Sequence, residues 1–463
     1  MVLRRLAVAV ALVVVRGEVS KPFLVEQQQQ RRYAVAKQIV KNRFELAVPD
    51  ETVTVFALDA GAKLESHAFS AIAALSSVVH FSAEPLKLRF VMMLTAPREA
   101  ADVLSEALCR AIESAIGHVY ARYASKIFEE KCFMTTFAEI ARPANGTSCP
   151  ARPRPPAARV TFVQFPVTAA EYPPEVRELF ELFCCSSRRY AINRPELARS
   201  LGNHARFFAH LTLLPLGVKR ALFLDADVLA RVDVRPLYAA PLTTVRFVAA
   251  AKRCAQKRAR YQPHFAFSDE LLKEFGLKSN AMLVNAGVLV VDLQAYCRDG
   301  LFHDLRAVLR RHVAGPPLWR DGNNQPPFTI AAARHITFVD PSWNVRLGDA
   351  QGQARVARVQ RRKQQRNGPR QVAANGGALT AAATEDVCTR MLEDPWILHA
   401  HFNPCAALPD RLCPDNNAHS INNTANEPLR DNEDTQHHTI PSLLRYVSLI
   451  FSCLTHSFLG PLS

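Results

Sequence analysis

The central stretch of the chain reads Lys219-Arg-Ala-Leu-Phe-Leu-Asp225-Ala226-Asp227-Val-Leu. It is a strand-like apolar run that ends in two carboxylates separated by one small residue. In an open α/β sheet, ligands bind beyond the carboxyl ends of the strands. The sequence therefore predicts that the chemistry of the protein takes place at this stretch.

Strand-like and helix-like segments alternate on both sides of the central stretch. Apolar runs typical of buried strands occupy residues 52–58, 88–94, 160–167, 218–224, 247–251, 282–292, 335–339 and 396–402. Helical patterns occupy residues 67–79, 97–116 and 203–214. This alternation predicts an α/β protein built on a parallel sheet.

The composition is that of a globular protein. Hydrophobic residues make up 49% of the 463 residues and charged residues 21%, which excludes a chain that is disordered throughout. The excess of 57 Lys and Arg over 42 Asp and Glu suggests an anionic partner, such as nucleic acid, an acidic membrane or a phosphorylated substrate. Seven of the cations lie between Arg355 and Arg370, so this local tract says little about the active site.

One large domain is expected between two less regular ends. We predict a signal peptide or short signal anchor at residues 1–20, a stem at 21–50, the main domain at 51–405, a disordered linker at 406–440 and an apolar C-terminal helix at 441–463. Two insertions are expected within the main domain, a Pro- and Arg-rich one at about 144–158 and a low-complexity one at about 351–384.

The N-terminus indicates entry into the secretory pathway. Two arginines precede an apolar run at residues 6–15, which suits a signal peptide and is shorter than the roughly 20 residues of a membrane span. Glycosylation sequons at Asn145 and Asn422 agree with that location. The eleven cysteines have no CxxC spacing, which argues against a zinc ribbon, and some of them would pair in an oxidising lumen.

The carboxylates of the Asp225-Ala226-Asp227 triplet repel each other unless a cation lies between them. A hard divalent ion with oxygen ligands removes this repulsion and can bridge a diphosphate. Two other interpretations stay open on these residues alone. One Asp could cap the next helix while the other lies in a solvated turn. Alternatively, the strand could carry the nucleophile of a haloacid-dehalogenase-like phosphatase, with only Asp340 to supply its later acidic pair.

Four segments of the sequence form an ordered set of motifs along the chain. They are Arg206-Phe-Phe, the stretch from Lys219 to Asp233, Val284-Asn285-Ala286-Gly287-Val-Leu-Val-Val-Asp-Leu, and Trp396-Ile-Leu-His-Ala-His401-Phe-Asn. Together they resemble glycosyltransferase family 8, the retaining enzymes that include glycogenin-like and galacturonosyltransferase-like members. The resemblance implies a GT-A fold, a Rossmann-like mixed and mostly parallel sheet with the Asp225 triplet at its switch point. It also implies metal-assisted transfer of a hexose-type sugar from a UDP-sugar, with retention.

The resemblance implies a metal site and a phosphate site. Asp225, Asp227 and His401 would hold Mn²⁺, and Ala226 between the two carboxylates would let the donor approach the backbone. Arg206 would supply a fixed positive charge near the phosphates. Arg206 could instead be a helix-surface arginine that pairs with an Asp.

The resemblance also implies contacts to the rest of the donor. Asn285, Ala286 and Gly287 would form a small-residue wall against the sugar, with Asn285 hydrogen-bonded to its hydroxyls. Gly287 could instead serve tight packing between strand and turn. Asp59, which ends the first strand-like run, would contact the nucleotide.

Departures from the family pattern concern the sugar and the phosphates. The family's Asp-Gln pair beside the reacting sugar is Asn324-Gln325 here, and these two are the expected catalytic residues. A lysine that the family places after the histidine segment is absent, since Pro404 and the residues after it replace that pattern. His399 lies two residues before His401, so either imidazole could be the metal ligand.

These departures keep a second class of function open. The chain could be a catalytically impaired relative that binds glycans or nucleic acid through the basic tract at residues 355–370. No nucleic acid is expected, because the tract has no interleaved aromatic residues. The expected partners are a UDP-sugar donor and an acceptor of unknown class, either terminus could associate with a membrane, and the expected location is the Golgi lumen.

Overall fold

The computed structural model describes residues 51–59, 64–119, 132–140, 159–189, 200–251, 274–275, 277, 284–319, 324–346 and 397–399. The predictions for residues 1–50, 144–158, 351–384 and 406–463 lie outside these ranges.

Strands and helices alternate through the described residues, as the apolar pattern predicts. The strands are β1 (Thr52–Asp59), β2 (Leu88–Thr95), β3 (Phe133–Thr136), β4 (Val160–Phe165), β5 (Arg220–Leu224), β6 (Val228–Ala230), β7 (Val248–Ala251), β8 (Val288–Asp292), β9 (Ile336–Val339), β10 (Val345–Arg346) and β11 (Ile397–His399). The helices are α1 (Leu64–Phe81), α2 (Arg98–Val119), α3 (Phe137–Ile140), α4 (Pro174–Arg189), α5 (Leu201–Phe208), α6 (His210–Leu213), α7 (Arg235–Tyr238), α8 (Leu293–Arg298), α9 (Leu301–Ala314) and α10 (Gln325–Ala331).

The main sheet contains eight strands within the described ranges. Their order is β3-β4-β2-β1-β5-β8-β7-β9. Neighbouring strands are parallel except at β8, which runs antiparallel to both β5 and β7. The predicted α/β architecture, a mixed and mostly parallel sheet with flanking helices, is confirmed.

Burial explains why the central strands read as continuous apolar runs. Every residue of β2 and β4 is buried, and β1 is nearly so. A parallel sheet covered by helices on both faces has no solvent side, so its strands do not alternate between apolar and polar residues. Aromatic rings of Phe137, Phe165, Tyr172, Phe180 and Phe208 pack together on one side of these strands, with centroid separations from 5.1 to 6.2 Å.

Several boundaries differ from the sequence prediction. The helix expected at residues 203–214 is two short helices, α5 and α6, that meet at Ala209. The strand expected at 282–292 begins only at Val288, because Ala286 and Gly287 form a turn before it. Strand β3 was not predicted, since it has only four residues and pairs on one side with β4.

A second, smaller sheet lies next to the central triplet. It consists of β10, β11 and β6, in that order. Strand β11 runs antiparallel to β6, so that His399 is the register partner of Val228 and Ile397 that of Ala230. Because β6 follows the Asp225 triplet directly, this pairing brings the backbone near residue 399 alongside the triplet.

One disulfide joins two elements at the edge of the molecule. Cys109 of α2 is bonded to Cys132, the residue before β3, across a sequence separation of 23. The bond therefore ties a surface helix to the edge of the main sheet. Within the described ranges, no helix is both long enough and apolar enough to cross a bilayer.

Candidate active site

The candidate site lies where the order of the sheet reverses. The chain builds β2, β4 and β3 on one side of β1, then places β5 on its other side. Phe56 of β1 is the register partner of Leu224 of β5, and the two strands are parallel. Asp59 at the end of β1 and Asp225 just after β5 therefore lie at the same edge, in the crevice where open α/β sheets bind ligands.

Arg206 connects the central triplet to the turn before β8. Its Nη2 donates to the Asp225 carboxylate in an ion pair, and its Nη1 donates to the carbonyl oxygen of Ala286. The Arg206 side chain is 10% exposed and the Asp225 side chain 27%. The ion pair with an Asp, one of the two sequence-based alternatives for Arg206, is present, and that Asp belongs to the triplet itself.

The Asn285-Ala286-Gly287 turn packs directly on the triplet. The Asp225 amide donates to the carbonyl oxygen of Gly287 at 2.8 Å. The Asn285 Oδ1 accepts from the Gly287 amide at 3.0 Å, which closes the turn. Both Asn285 and Ala286 are buried. The backbones of two strand ends therefore meet at this turn.

Gln325 extends this group of residues. It begins α10, and its Nε2 lies 3.4 Å from the Asn285 Oδ1. A hydroxyl of Thr329, one turn later, donates to the Gln325 carbonyl at 2.7 Å and accepts from the Val284 amide at 3.3 Å. The start of α10 is therefore fixed to the turn that carries Asn285.

Asn324 is fixed to a different element. Its side chain does not cap α10, and its Nδ2 donates instead to the carbonyl oxygen of Asn203 on α5, at 3.2 Å. Asn324 is buried. The amide thus joins the helix that carries Arg206 to the helix that begins with Gln325.

Ser200 is a site residue that the sequence analysis missed. Its hydroxyl accepts from the Asn203 amide at 3.2 Å as the N-cap of α5, and it donates to the Asp59 carboxylate. A serine directly before a helical pattern is a helix start signal that could have singled it out. Its contact with Asp59, 141 residues earlier, could not be seen in the sequence.

The predicted metal ligands are only partly described. Asp225 and Asp227 lie together after β5, while His401 lies outside the described residues. The backbone of His399 is placed opposite Val228, the residue after Asp227. Among the described residues there is no group of three His, Cys, Asp or Glu that could hold a metal ion. Two hard oxygen donors at a strand end fit a divalent cation, and a third ligand must come from elsewhere.

Asp233, the acidic residue at the end of the segment from Lys219 to Asp233, has a different role from Asp225 and Asp227. Asp233 is fully buried, and its carboxylate accepts from the Arg235 guanidinium at 2.9 Å and from the Ala83 amide at 2.9 Å. Arg235 also pairs with Glu84, and its hydrogen bond lowers the pKa of that carboxyl. Asp233 therefore holds the loop after α1 against the segment after β6 and lies in the core.

Comparison with known proteins bears on the same segment. Residues 166–368 match the family model described as glycosyl transferase family 8. The matched range contains Arg206, the Asp225 triplet, the Asn285 turn and Gln325. The central part of the chain is thus similar to glycosyl transferase family 8.

The relatives that match this part of the chain are distant. The chain is 28% identical over 162 residues to "Glycosyltransferase 8 domain-containing protein 1" of Danio rerio, covering 32% of this chain and 44% of the relative. It is 27% identical over 159 residues to "Probable galacturonosyltransferase-like 9" of Arabidopsis thaliana, covering 34% of this chain and 38% of the relative. The chain thus matches less than half the length of these relatives.

Solved structures overlap this chain loosely. The galactosyltransferase LgtC, in complex with donor and acceptor sugar analogues, is 14% identical and covers 76% of this chain and 88% of its own, with a TM-score of 0.41. Mouse xyloside xylosyltransferase 1 is 12% identical; the match covers 77% of this chain and 99% of the xylosyltransferase, with a TM-score of 0.41. TM-scores of this size are too low to carry an argument about function.

Proposed function

We propose that the protein is a glycosyltransferase that moves a hexose-type sugar from a UDP-sugar to a glycan, protein or lipid acceptor. The observation that carries the proposal is the joining of three family 8 segments around one carboxylate. Asp225 pairs with Arg206 through its side chain and with Gly287 through its backbone. The phosphatase alternative accounts for the two carboxylates but gives no role to Arg206 or to the Asn285 turn.

The phosphate end of the donor is proposed to lie at the triplet. Asp225 and Asp227, with His401 or His399 as a third ligand, are the residues that would hold Mn²⁺. When bound, the ion would offset the negative charge that develops on the departing nucleoside diphosphate. Arg206 lies beside the same carboxylate and supplies a positive charge fixed by its two contacts. That second charge compensates for the family lysine that this chain lacks.

The sugar end of the donor is proposed to lie at the Asn285 turn. Ala286 and Gly287 present little side-chain bulk, so a sugar ring can approach the backbone there. The Gln325 Nε2 lies 3.4 Å from the Asn285 Oδ1. Each of the two amides would hydrogen-bond to the other and also to the sugar hydroxyls. Retention of configuration belongs to this proposal through the family resemblance and not through a placed nucleophile.

We propose that the protein works in the lumen of the secretory pathway, in the Golgi. The Cys109–Cys132 disulfide supports this location, because disulfides persist in oxidising compartments. The sequons and the apolar N-terminal run of the sequence point the same way.

A panel of UDP-sugars tests the proposed activity. The purified full chain is incubated with Mn²⁺ and each UDP-sugar, and released UDP is measured with and without EDTA. We expect release from one donor sugar above the others, and loss of that release in EDTA. Release of phosphate from phosphomonoesters, with no UDP release from any sugar nucleotide, would instead favour the phosphatase.

A further inference from the structure

The Ser200 hydroxyl lies between two parts of the candidate site that are far apart in sequence. It accepts a hydrogen bond from the Asn203 amide at 3.2 Å, which starts the helix that carries Arg206. It donates its proton to the Asp59 carboxylate at the end of β1. One atom thus joins the first strand end to the Arg206 helix.

Gly202, two residues after Ser200, lies close to the ends of β1 and β2. A Cβ atom on Gly202 would lie 3.1 Å from the Asp59 Cβ, 3.1 Å from the Thr95 Oγ1 and 3.3 Å from the Leu58 carbonyl oxygen. The first turn of α5 therefore presses directly on the ends of β1 and β2. At this contact the Asp59 carboxylate accepts a hydrogen bond from the Ser200 hydroxyl.

We propose that Ser200 is a positioning residue that orients Asp59 toward the nucleotide and keeps it in register with Arg206. The inference rests on the proposed function, together with the nucleotide contact that the family resemblance implies for Asp59. In this role the Ser200 hydroxyl acts both as an acceptor and as a donor of hydrogen bonds. The oxygen accepts from the Asn203 amide of the helix, and the proton is donated to the Asp59 carboxylate.

Four substitutions of Ser200 separate its two hydrogen bonds. Ser200→Ala removes both, and Ser200→Asp retains the cap on α5 but offers no proton to Asp59. Ser200→Thr and Ser200→Asn retain an acceptor for the helix and a donor for Asp59. The affinity of the full chain for UDP in the presence of Mn²⁺ is measured by titration calorimetry, together with the melting temperature of each variant.

We expect UDP affinity to fall about tenfold in Ser200→Ala and Ser200→Asp, and to stay within about threefold of wild type in Ser200→Thr and Ser200→Asn. Asp292→Ala is the matched control. Asp292 caps α8 by accepting from the Ala295 amide at 3.0 Å, and it pairs with the opposite end of β5. Its loss lowers the melting temperature but leaves UDP affinity unchanged.

A double-variant cycle completes the test. If Ser200 acts through Asp59, then Ser200→Ala adds no further loss of UDP affinity to Asp59→Ala. Additive losses, or wild-type affinity in Ser200→Ala while Asp59→Ala binds UDP weakly, would overturn the role of Ser200 and leave the proposed function intact. If wild type itself does not bind UDP, the proposed function fails, and the role of Ser200 fails with it.

Discussion

At the scale of single residues, Arg206 is the side chain that joins two parts of the candidate site. Its guanidinium contacts the Asp225 carboxylate and the Ala286 carbonyl at once, and its side chain is largely enclosed. A planar guanidinium can make two such contacts in fixed directions, whereas a lysine ammonium offers one flexible point charge. The arginine therefore supplies both charge and geometry.

Arg206→Lys and Arg206→Met test these two contributions. We expect turnover of the UDP-sugar to fall about 100-fold in Arg206→Met, which loses a charge-assisted hydrogen bond of about 1.5–3 kcal/mol, and by a smaller factor in Arg206→Lys. Steady-state kinetics measure the effect. Arg310→Met is the control, since Arg310 is exposed and pairs with Glu178 on α4. Equal turnover in wild type and Arg206→Met would remove Arg206 from the site.

Asn324 gives a prediction that depends on pH. In Asn324→Asp, an ionised carboxylate faces the Asn203 carbonyl and cannot donate a hydrogen bond, whereas a protonated carboxyl can. Burial raises the pKa of a carboxyl, so the donor should return as the pH is lowered. We expect the ratio of variant to wild-type turnover to be below one at pH 8 and to rise toward pH 5. Turnover above that of wild type at every pH would show instead that a carboxylate acts catalytically at this position.

At the scale of elements, the site is the meeting point of strand ends and short helices. Helix α5 carries Arg206, α10 begins with Gln325, and each is fixed by a polar contact to another element. Helix α9 packs against α4, where Glu178 accepts from Arg306 and Arg310. The hydrogen bond from Arg310 is the main reason that the pKa of Glu178 is lowered.

This lowered pKa predicts how stability changes with acid. Because the folded state favours ionised Glu178, the pair stabilises the fold above the unfolded pKa of about 4.3 and loses that effect as pH falls through the folded value. We expect Glu178→Gln to melt about 1–2 °C below wild type at pH 7, for a loss of about 1 kcal/mol. The two melting temperatures should converge near pH 3. The same difference in melting temperature at pH 7 and pH 3 would show that the substitution acts through packing and not through the charge of Glu178.

At the scale of the whole molecule, local patterns predicted the layers better than the contacts between them. The buried runs of β1, β2, β4 and β5 were predictable because continuous apolar segments between helical patterns have few other folded forms. The pairing of three-residue strands β6 and β11 was not, because such strands carry little periodicity and lie far apart in sequence. Asp225 could be named as a candidate because it follows a predicted strand. Its pairing with Arg206 could be seen only in the folded structure.

The Cys109–Cys132 disulfide gives a prediction for the molecule as a whole. It closes a loop between α2 and the edge strand β3, and a loop of this length corresponds to about 3 kcal/mol of unfolding free energy. We expect the Cys109→Ser, Cys132→Ser double variant to unfold at a lower denaturant concentration, with an unfolding free energy smaller by about 3 kcal/mol. Turnover of the remaining folded protein should be unchanged. Equal denaturant midpoints would show that the disulfide does not stabilise the fold.

The central claim is that the Asp225 triplet holds the cation and phosphates of a sugar nucleotide. The most direct measurement is calorimetric titration of UDP with Mn²⁺ into wild type, Asp225→Asn, Asp227→Asn and the control Asp102→Asn, which alters an exposed residue of α2. We predict that wild type and Asp102→Asn bind UDP only with Mn²⁺, and that both triplet variants lose this binding. Wild-type affinity in either triplet variant, or equal binding in EDTA, would contradict the assignment.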